Sequence, residues 1–417
     1  MEETGTMNKA EFRMDERFAR RIILLVGASH GLTHIYQSVL PPLYPVLSRD
    51  LGLTYTELGL LATAMAFSFG ISQIIMGPLS DRFGRKRLIL CGQFLFAAAT
   101  AMCGLVSKYW WLLLFQVVGG IGGSVLHPVG VALLTDVTQT TQRGKAMGVH
   151  GSGGTLGTAL APVTMVYLTV LVNWRFAMIV IGLLGMIFVP LMAAYLVEPP
   201  RTKKVKPEES ETSEKEVYPF GTLALILILM VWISRSTSNR AYQSFLPTFL
   251  VHHYAISLEL SGIFVTLYWV FSAVAQLAGG YLSDRYNHFT ILWLSFFFTA
   301  ASMAVMLFVD PGRGSIIYAN FFLLGICSFV GYPAFYATYS EGIQKARSGT
   351  FFSLGFTVAF TVSSVVPGAM GWITDRYNAA ASFYPILAMV IIPLIILPMV
   401  RKMRLGVYRR TEEAHKT

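Results

Sequence analysis

Polar side chains recur at helical spacing inside two long apolar segments of the chain. One segment carries His30, His34 and Gln37, and the other carries Ser236, Arg240 and Gln243. Within each set the residues are four and then three positions apart, so they share one face of an α-helix. Imidazole, guanidinium and carboxamide groups can bind a solute, and imidazole can also carry protons. We therefore predict one solute site that both segments line.

Arg235 and Arg240 are the most informative charges, because no acidic residue lies in their segment. An arginine inside a membrane-crossing helix costs about 2.5–3.5 kcal/mol, so it normally faces a partner or a water-filled cavity. We interpret Arg240 as the counter-ion of an anionic solute; the alternative is a pair with a helix C-terminus or a remote acid. Arg235 points about 140° away from Arg240 around the helix, and either solute contact or a stabilising role fits it.

His127 is a further candidate, because it lies in a third apolar segment directly before Pro128. The proline frees a backbone carbonyl and predicts a kink. A histidine there could titrate near neutral pH and couple proton flow, as could His34. A hydrogen-bonded packing role is the alternative for His127. The acids Glu57, Asp136 and Glu341 lie near segment ends, where we expect them to be solvated or paired with a loop arginine.

These segments belong to a chain with the composition of a membrane protein. Of its 417 residues, 54% are hydrophobic and 13% are charged, against about a quarter charged in soluble domains. Apolar runs long enough to cross a bilayer recur throughout. The predicted spans are, in order, 20–47, 55–79, 87–107, 109–134, 145–171, 175–197, 219–250, 258–283, 289–309, 314–338, 349–373 and 380–400.

The hydrophilic stretches divide this chain and orient it. We predict an N-terminal tail (1–20), a six-helix bundle (21–197), a linker (198–218), a second bundle (219–400) and a C-terminal tail (401–417). The loops and tails on one side hold 25 of the 32 Lys and Arg residues, and the other side holds five. Short basic loops stay in the cytoplasm, so both termini are predicted to be cytoplasmic, with the chain in a plasma or inner membrane.

The two predicted bundles repeat each other in sequence. Residues 36–41 (YQSVLP) recur as 242–247 (YQSFLP), and 79–82 (LSDR) recur as 282–285. His127-Pro128 corresponds to Tyr332-Pro333, which adds Tyr332 to the candidate site, and the repeat aligns Arg240 with His34. Two parallel repeats predict a transporter with its solute site between them near the middle of the membrane.

The segment Gly77–Arg87 (GPLSDRFGRKR) is predicted to be a tight cytoplasmic loop, and it resembles the signature loop of the major facilitator superfamily. The resemblance extends to the twelve spans, the linker and the duplication. It implies that spans 1, 4, 7 and 10 line the cavity. It also implies that this loop gates the cytoplasmic side through Gly77, Asp81, Arg82, Gly84 and Arg85.

Two other stretches resemble subgroups of that superfamily. Ser124–Pro128 is similar to the fosmidomycin resistance protein group, and the glycines of span 5 partly resemble an exporter motif. Close helix packing explains those glycines equally well. Gln116 stands where many proton-linked exporters carry an arginine, which argues against the usual proton relay.

The fold class predicted is therefore all-α, with twelve transmembrane helices in two pseudo-symmetric six-helix bundles. The predicted function is secondary transport of a small organic anion, coupled to protons and carried out by a monomer. Export of antibiotics or other xenobiotics is the main alternative, and a transport-fold receptor is a weaker one because the tails are short. No enzyme activity, cofactor, metal site or nucleic-acid partner is predicted: the three cysteines are widely spaced, and no phosphate-binding loop or intramembrane acid–base pair is present.

Overall fold

The architecture is that of a computed structural model, which describes residues 16–138, 142–198, 221–309, 314–341 and 348–414. All the regular structure in those ranges is helical. The α-helices of the first half are α1 (Glu16–Ser38), α2 (Tyr44–Leu51), α3 (Tyr55–Phe83), α4 (Arg85–Cys103), α5 (Tyr109–Gly123), α6 (Val131–Val137), α7 (Arg143–Leu171) and α8 (Trp174–Tyr195). Those of the second half are α9 (Thr222–His253), α10 (Leu258–Arg285), α11 (His288–Phe308), α12 (Gly314–Val330), α13 (Tyr332–Glu341), α14 (Ser348–Ser364), α15 (Val366–Arg376) and α16 (Tyr384–Ala414).

Eleven helical stretches of the described residues are long and apolar enough to cross a membrane. They correspond to predicted spans 2 to 12, and the chain is a multi-pass membrane protein. Helix α1 occupies span 1 but is not one of the eleven. Its sequence begins with several charged residues and then carries the polar face with His30, His34 and Gln37, which lowers its hydropathy.

Several spans are interrupted at proline or glycine. In span 4, a short π-helical turn (Leu126–Gly130) around Pro128 joins α5 to α6, which is where a proline was expected to disturb the helix. In span 10, Gly331 separates α12 from α13. Such breaks free backbone groups and re-aim side chains, and in this protein two of them lie beside candidate site residues, His127 and Tyr332.

The predicted loop Gly77–Arg87 is shorter than its sequence indicated. Helix α3 runs through Pro78 to Phe83, and α4 begins at Arg85, so Gly84 alone separates them. Gly84 has a φ of +97°, a backbone conformation that glycine adopts without steric cost. A single such residue is enough to turn the chain, which explains why the basic residues after it are already helical.

The helices form two six-helix halves with one seam between them. In the first half α1 packs against α7, α4 against α8, and α5 against both α3 and α4. In the second half α12 packs against α10 and α11, and α9 against α14 and α16. The seam is made by α3 against α14 and α15, and by α7 against α10. The two halves therefore contact each other mainly along two pairs of spans, span 2 with span 11 and span 5 with span 8.

The outer parts of the predicted domains lie mostly beyond the described residues. The linker 198–218, apart from Glu198, and tail residues 1–15 are outside the ranges that the structure describes. At the other end, α16 continues to Ala414, so the predicted C-terminal tail 401–417 is largely a continuation of the last helix.

Glycines bring α1 and α7 into backbone contact. A Cβ atom built on Gly153 would overlap the carbonyl oxygen of Gly27, and one built on Gly157 would overlap that of Gly31. Small residues allow such close approach in membrane bundles. The packing interpretation of the span 5 glycines is thus confirmed for Gly153 and Gly157.

This contact predicts a matched pair of glycine variants. Gly157→Ala should destabilise the protein by about 1–3 kcal/mol, because the neighbour that must move is backbone rather than a flexible side chain. Gly148→Ala in the same helix should be harmless, since nothing lies within 4 Å of its added Cβ. Thermal unfolding in detergent, followed by tryptophan fluorescence, measures both. Equal unfolding temperatures for the two variants would contradict the close α1–α7 contact.

Candidate functional site

A cavity of about 340 Å³ lies between the two halves, within the size range of small-molecule sites. Its first-half wall comes from α1 and α7 and includes His30, His34, Gln37, Gly151, Gly154 and Thr158. Its second-half wall comes mainly from α9, with α13 and α14, and includes Trp232, Arg235, Asn239, Arg240, Gln243 and Tyr332. Seven of the eight residues predicted to bind solute line this cavity; His127 is the one that does not.

Arg240 lies on the α9 wall, only 8% exposed. Its Nη1 donates to Gln243 Oε1 at 3.0 Å, and its guanidinium sits 5.2 Å from the centre of the Phe360 ring. Gln243 Nε2 in turn donates to Ser38 Oγ at 2.9 Å, which joins α9 to α1 across the seam. The predicted alternative, an Arg240 pair with a remote acid, is not found among the described residues, where no carboxylate lies within 4 Å of this side chain.

Arg235 reaches the same cavity, although helical geometry places it far around α9 from Arg240. Its Nη2 donates to the Ser328 carbonyl at 3.0 Å, and its guanidinium stacks 4.2 Å from the centre of the Tyr332 ring. The side chain is 5% exposed, and its Nε and Nη1 have no hydrogen-bond partner in the described part of the chain. Buried donors without partners are costly, so the surroundings of this arginine satisfy only part of its guanidinium group.

Tyr332 connects Arg235 to the rest of the wall. It follows the break at Gly331, and Asn239 Nδ2 donates to its hydroxyl oxygen. Its ring stacks on Phe329 with 4.8 Å between the ring centres. The repeat predicted Tyr332 as a site residue by alignment with His127, and the structure places it on the cavity wall.

Four histidines of the first half form one cluster. His30 stands at its centre: its ring packs edge-on against His34 (4.6 Å between ring centres) and His127 (4.9 Å), and lies parallel to His150 at 3.8 Å. His127 is therefore close to the cavity, and the ring of His30, which it contacts, lines the cavity. Its ring also contacts Phe69 edge-on.

Hydrogen bonds hold two of these rings in place. His30 Nδ1 lies 2.7 Å from the carbonyl oxygen of His150, and His34 Nδ1 lies 3.1 Å from Thr158 Oγ1. The Thr158 hydroxyl donates to the Gly154 carbonyl at 3.0 Å. Gly154 itself leaves the space that the rings occupy, since a Cβ there would lie 2.7 Å from the His30 ring.

His150 is the residue that the sequence analysis missed. It belongs to α7 and precedes Gly154 and Thr158 by four and eight positions, so the three lie on one helix face. The spacing rule that found His30 and His34 would have found this face as well. It was hidden because the glycine-rich run around it was interpreted only as packing or as an exporter motif.

The predicted gating segment is held within the first half. A carboxylate at the end of span 6, that of Glu198, accepts from the backbone amides of Arg85 (3.0 Å) and Lys86 (3.1 Å). The Arg85 guanidinium pairs with Asp136, which confirms the expected loop-arginine partner of that acid. Asp81 is exposed. A gating role for this segment stays a prediction.

The other two acids near span ends have local partners. The Glu57 carboxylate caps the start of α3, accepting from the Thr54 amide at 2.9 Å. Glu341 pairs with His288 at 2.9 Å, where either solvation or a loop arginine had been expected.

Two further predicted gating residues, Gly77 and Arg82, lie in the C-terminal part of α3. Arg82 places its guanidinium 5.3 Å from the ring centre of its neighbour Phe83. A Cβ built on Gly77 would meet no atom within 4 Å.

The seam between the halves is closed at the opposite end of the molecule. The Asp375 carboxylate of α15 accepts from the amides of Tyr55 (2.8 Å) and Thr56 (2.7 Å) at the start of α3. Farther in, Val163 N donates to Thr266 Oγ1 at 3.1 Å, between α7 and α10. Toward the basic end, by contrast, a Cβ on the cavity-lining Gly151 would meet nothing within 4 Å. The two halves are thus in close contact at the Tyr55–Asp375 end, where a Cβ built on Gly371 would lie 2.0 Å from the Tyr55 carbonyl oxygen.

Comparison with known proteins gives a consistent family assignment. Residues 26–367, most of the chain, match the family described as Major Facilitator Superfamily. Among solved structures, a bacterial homologue of the human lysosomal transporter Spinster, in an inward-facing and occupied conformation, superposes with a TM-score of 0.77. That match covers 95% of this chain and 98% of the other at 16% identity, so it is a likeness of fold.

Several curated transporters are similar in sequence. The probable L-galactonate transporter of Escherichia coli (strain K12) is 24% identical over 64% of this chain, and the match spans only 62% of that protein. The probable sulfoacetate transporter SauU of Cupriavidus necator is 26% identical over 80% of this chain and 83% of its own length. The quinolone resistance protein NorA of Staphylococcus aureus is 24% identical over 85% and 91%.

The closed end of the seam supplies a test of its own. Asp375→Ala removes the acceptor of two inter-half amide hydrogen bonds and should make the cavity several-fold more accessible from the Tyr55 side. The reporter is Ser236→Cys on the cavity wall, in a chain whose Cys91, Cys103 and Cys327 are replaced by serine. Its labelling rate is measured with a membrane-impermeant maleimide added on that side.

The matched control is Asp50→Ala, which removes an exposed acid paired only with its neighbour Arg49. It should leave the labelling rate unchanged. If Asp375→Ala labels no faster than Asp50→Ala, the Asp375 contacts do not hold this end shut.

Proposed function

This chain belongs to the major facilitator superfamily of membrane transporters, which are not enzymes, and we propose that it moves a small organic anion across the membrane by alternating access. The observation that carries the proposal is the pair of buried arginines, Arg235 and Arg240, on one cavity wall. No acidic side chain of the described residues pairs with either of them. A buried cation of this kind is stable when an anion or water occupies the space beside it.

The chemistry of the walls favours a small carboxylate or sulfonate over a bulky cation. Arg240 and Gln243 offer donors on the second-half wall, and the Nε2 of Gln37 is a buried donor without a partner on the first-half wall. Guanidinium groups match planar or trigonal oxyanions with paired hydrogen bonds. The names of two relatives, a probable galactonate transporter and a probable sulfoacetate transporter, also support an organic acid as cargo.

The direction in which the cavity opens follows from the charge pattern. The closed Tyr55–Asp375 end carries few Lys and Arg residues, and the basic segment at Gly84–Arg87 lies at the other end. With basic loops in the cytoplasm, both termini are cytoplasmic and this conformation opens inward. Alternating access then requires the Asp375 contacts to break and the basic ends of the two halves, with the predicted gating segment, to close.

We assign proton coupling to the histidine cluster, through His34 and His127. His34 lines the cavity and His127 contacts His30 behind it, so a proton taken up at the wall can pass between imidazoles. A protonated His34 would add a positive charge opposite Arg240 and favour a second negative charge on the solute. Each protomer holds a complete cavity, which is consistent with a monomer as the working unit.

Export of antibiotics or other xenobiotics is the second candidate, and one feature of the cavity favours it. Eight aromatic side chains contribute to the second-half wall: Trp232, Trp269, Phe329, Tyr332, Phe335, Tyr336, Phe356 and Phe360. Aromatic walls accept flat, apolar compounds, and NorA, a relative at similar identity, is named for quinolone resistance. The two arginines favour the anion over the drug, because they would repel a cationic drug.

Arginine variants test the anion assignment. Purified protein in proteoliposomes should take up one or more members of a panel of labelled carboxylates, sulfonates and phosphonates in preference to cationic drugs. Arg240→Ala should weaken apparent affinity more than about 30-fold, because removing one partner of a buried ion pair costs about 2–5 kcal/mol. Arg240→Lys should retain part of the activity, since it keeps the charge but loses the planar donor geometry.

The control is Arg49→Ala, an exposed arginine outside the cavity, which should transport like the unmodified chain. The anion proposal fails if Arg240→Ala and Arg240→Lys both transport normally, or if the protein prefers cationic drugs over every anion in the panel.

Proton coupling is tested with an imposed pH gradient. Reversing the gradient should change the rate of net uptake several-fold, and a protonophore should remove the difference. His34→Gln and His127→Gln should lose this dependence while retaining solute exchange across equal pH, because exchange needs no net proton movement. His288→Gln, which alters a histidine outside the cavity, is the control. If the uptake rate of the unmodified protein is the same for both directions of the pH gradient, proton coupling is ruled out.

A further inference from the structure

Three of the clustered histidines have the arrangement of a metal site. His30, His34 and His127 each offer one ring nitrogen, and these three atoms lie within 4.8 Å of one another. They come from two elements, α1 and the π-helical turn of span 4, which is why no metal-binding spacing was visible in the sequence. We propose that these three imidazoles bind one divalent first-row transition-metal ion of the zinc class through their Nε2 atoms.

The hydrogen bonds around two of the rings leave Nε2 available. A backbone carbonyl can only accept, so the short contact between His30 Nδ1 and the His150 oxygen requires a proton on Nδ1. The Thr158 hydroxyl donates its hydrogen bond to the Gly154 carbonyl, so the hydroxyl oxygen accepts a hydrogen bond from His34 Nδ1. In the neutral form of both rings, Nε2 then carries the lone pair that a metal needs.

The distance between the first two ligand atoms fits a shared ion. His30 Nε2 and His127 Nε2 are 3.5 Å apart. Two nitrogens bound to one tetrahedral zinc at about 2.0–2.1 Å are about 3.3 Å apart. The same pair is long for an N–H···N hydrogen bond. His34 completes the trio with a modest movement of its ring toward the other two.

The surroundings are those that orient metal-binding histidines. Ligating imidazoles usually donate their second ring N–H to a carbonyl, carboxylate or hydroxyl, which fixes the ring and strengthens the ligand. His30 does so to the His150 carbonyl, and His34 does so to Thr158. His150 adds a parallel ring against His30, which restricts its rotation.

The ligand type selects the class of metal. Three imidazoles without a carboxylate suit zinc, cobalt, nickel or copper and do not suit magnesium or calcium. Three protein ligands leave a coordination position open, and because His34 lines the cavity this position faces the space between the halves. A carboxylate or a water molecule can fill it. The inference does not depend on which solute the protein carries. A bound ion and the protons assigned to His34 and His127 would compete for the same ring nitrogens, so the site holds one or the other.

Cobalt is the probe that tests the site, because imidazole-bound Co²⁺ in a four- or five-coordinate site has visible absorption that hydrated Co²⁺ lacks. Full-length protein without a polyhistidine tag is purified in detergent and titrated with Co²⁺. We expect a visible band that saturates at one Co²⁺ per chain, is displaced by Zn²⁺, and is accompanied by a rise in unfolding temperature. Displacement gives the Zn²⁺ affinity.

Ligand variants separate this site from adventitious binding. His34→Gln and His127→Gln should each weaken Co²⁺ and Zn²⁺ binding at least about 10-fold, the lower bound for losing even an outer-shell partner. Thr158→Val, which removes only the acceptor of His34 Nδ1, should weaken binding without changing the stoichiometry. His253→Gln, outside the cluster, should bind like the unmodified chain. Size-exclusion elution and unfolding temperature without metal establish that each variant is folded.

The proposal is overturned if the folded protein shows no saturable Co²⁺ band, or if the folded His34→Gln and His127→Gln variants bind Co²⁺ as the unmodified chain does. Either result leaves the anion proposal standing, because Arg240 and its transport assay do not involve the metal. Conversely, if the protein transports no anion but binds one Co²⁺ through these histidines, the metal site is supported and the proposal of an anionic solute is refuted.

Discussion

The cavity depends on two buried guanidinium groups that have no carboxylate beside them among the residues that the structure describes. Removing a charge from water costs several kcal/mol even after the protein relaxes. Here part of that cost is offset by the Ser328 carbonyl and the Tyr332 ring around Arg235, and by Gln243 beside Arg240. Arg235 Nε and Nη1 have no hydrogen-bond partner in the described part of the chain, and under the proposed function an anion in the cavity offsets the remaining cost.

Glycine contacts, helix breaks and the contacts between the two halves together shape the walls of this cavity. Glycine contacts bring α1 and α7 together as one wall, which carries the histidines. The prolines and glycines of spans 4 and 10 break the helices beside His127 and Tyr332 and turn those rings toward their neighbours. The seam, formed by α3 with α14 and α15 and by α7 with α10, joins the two walls.

Much of this was predictable from the sequence, because the signals are local. A charged or imidazole side chain in an apolar helix must face polar surroundings, and helical spacing then identifies the others on its face. That reasoning placed His34, Gln37, Arg240 and Gln243 on one cavity. The duplicated segments added Tyr332, since equivalent positions in two repeats face the same axis.

What the sequence did not reveal depends on contacts between distant segments. His150 joins the cluster only because α7 packs closely on α1, and Glu198, counted with the linker, caps α4 only because span 6 ends beside Gly84. Arg235 was expected to point away from Arg240. It lines the same cavity because the wall formed by α9 is broad and the side chain is long. The contact at Asp375 joins residues 320 positions apart in the chain, which no spacing rule describes.

The two walls of the cavity differ in chemistry. Under the proposed function, this difference links the binding of a solute in the cavity to the movement of the two halves. Imidazoles line the first half and guanidinium groups the second, so a solute that touches both bridges two bodies that move separately. Closing the inward end over an empty cavity would remove water from Arg235 and Arg240 with nothing to replace it, whereas an anion supplies the missing hydrogen bonds and charge. Closure of the loaded protein is therefore favoured over closure of the empty one by the desolvation cost of the arginines. A proton or a metal ion bound by the histidines of the first half adds positive charge to the cavity and strengthens its preference for an anionic solute. Under the proposed function, two arginines that have no acidic partner among the described residues can thus link solute binding to the closure of the cavity.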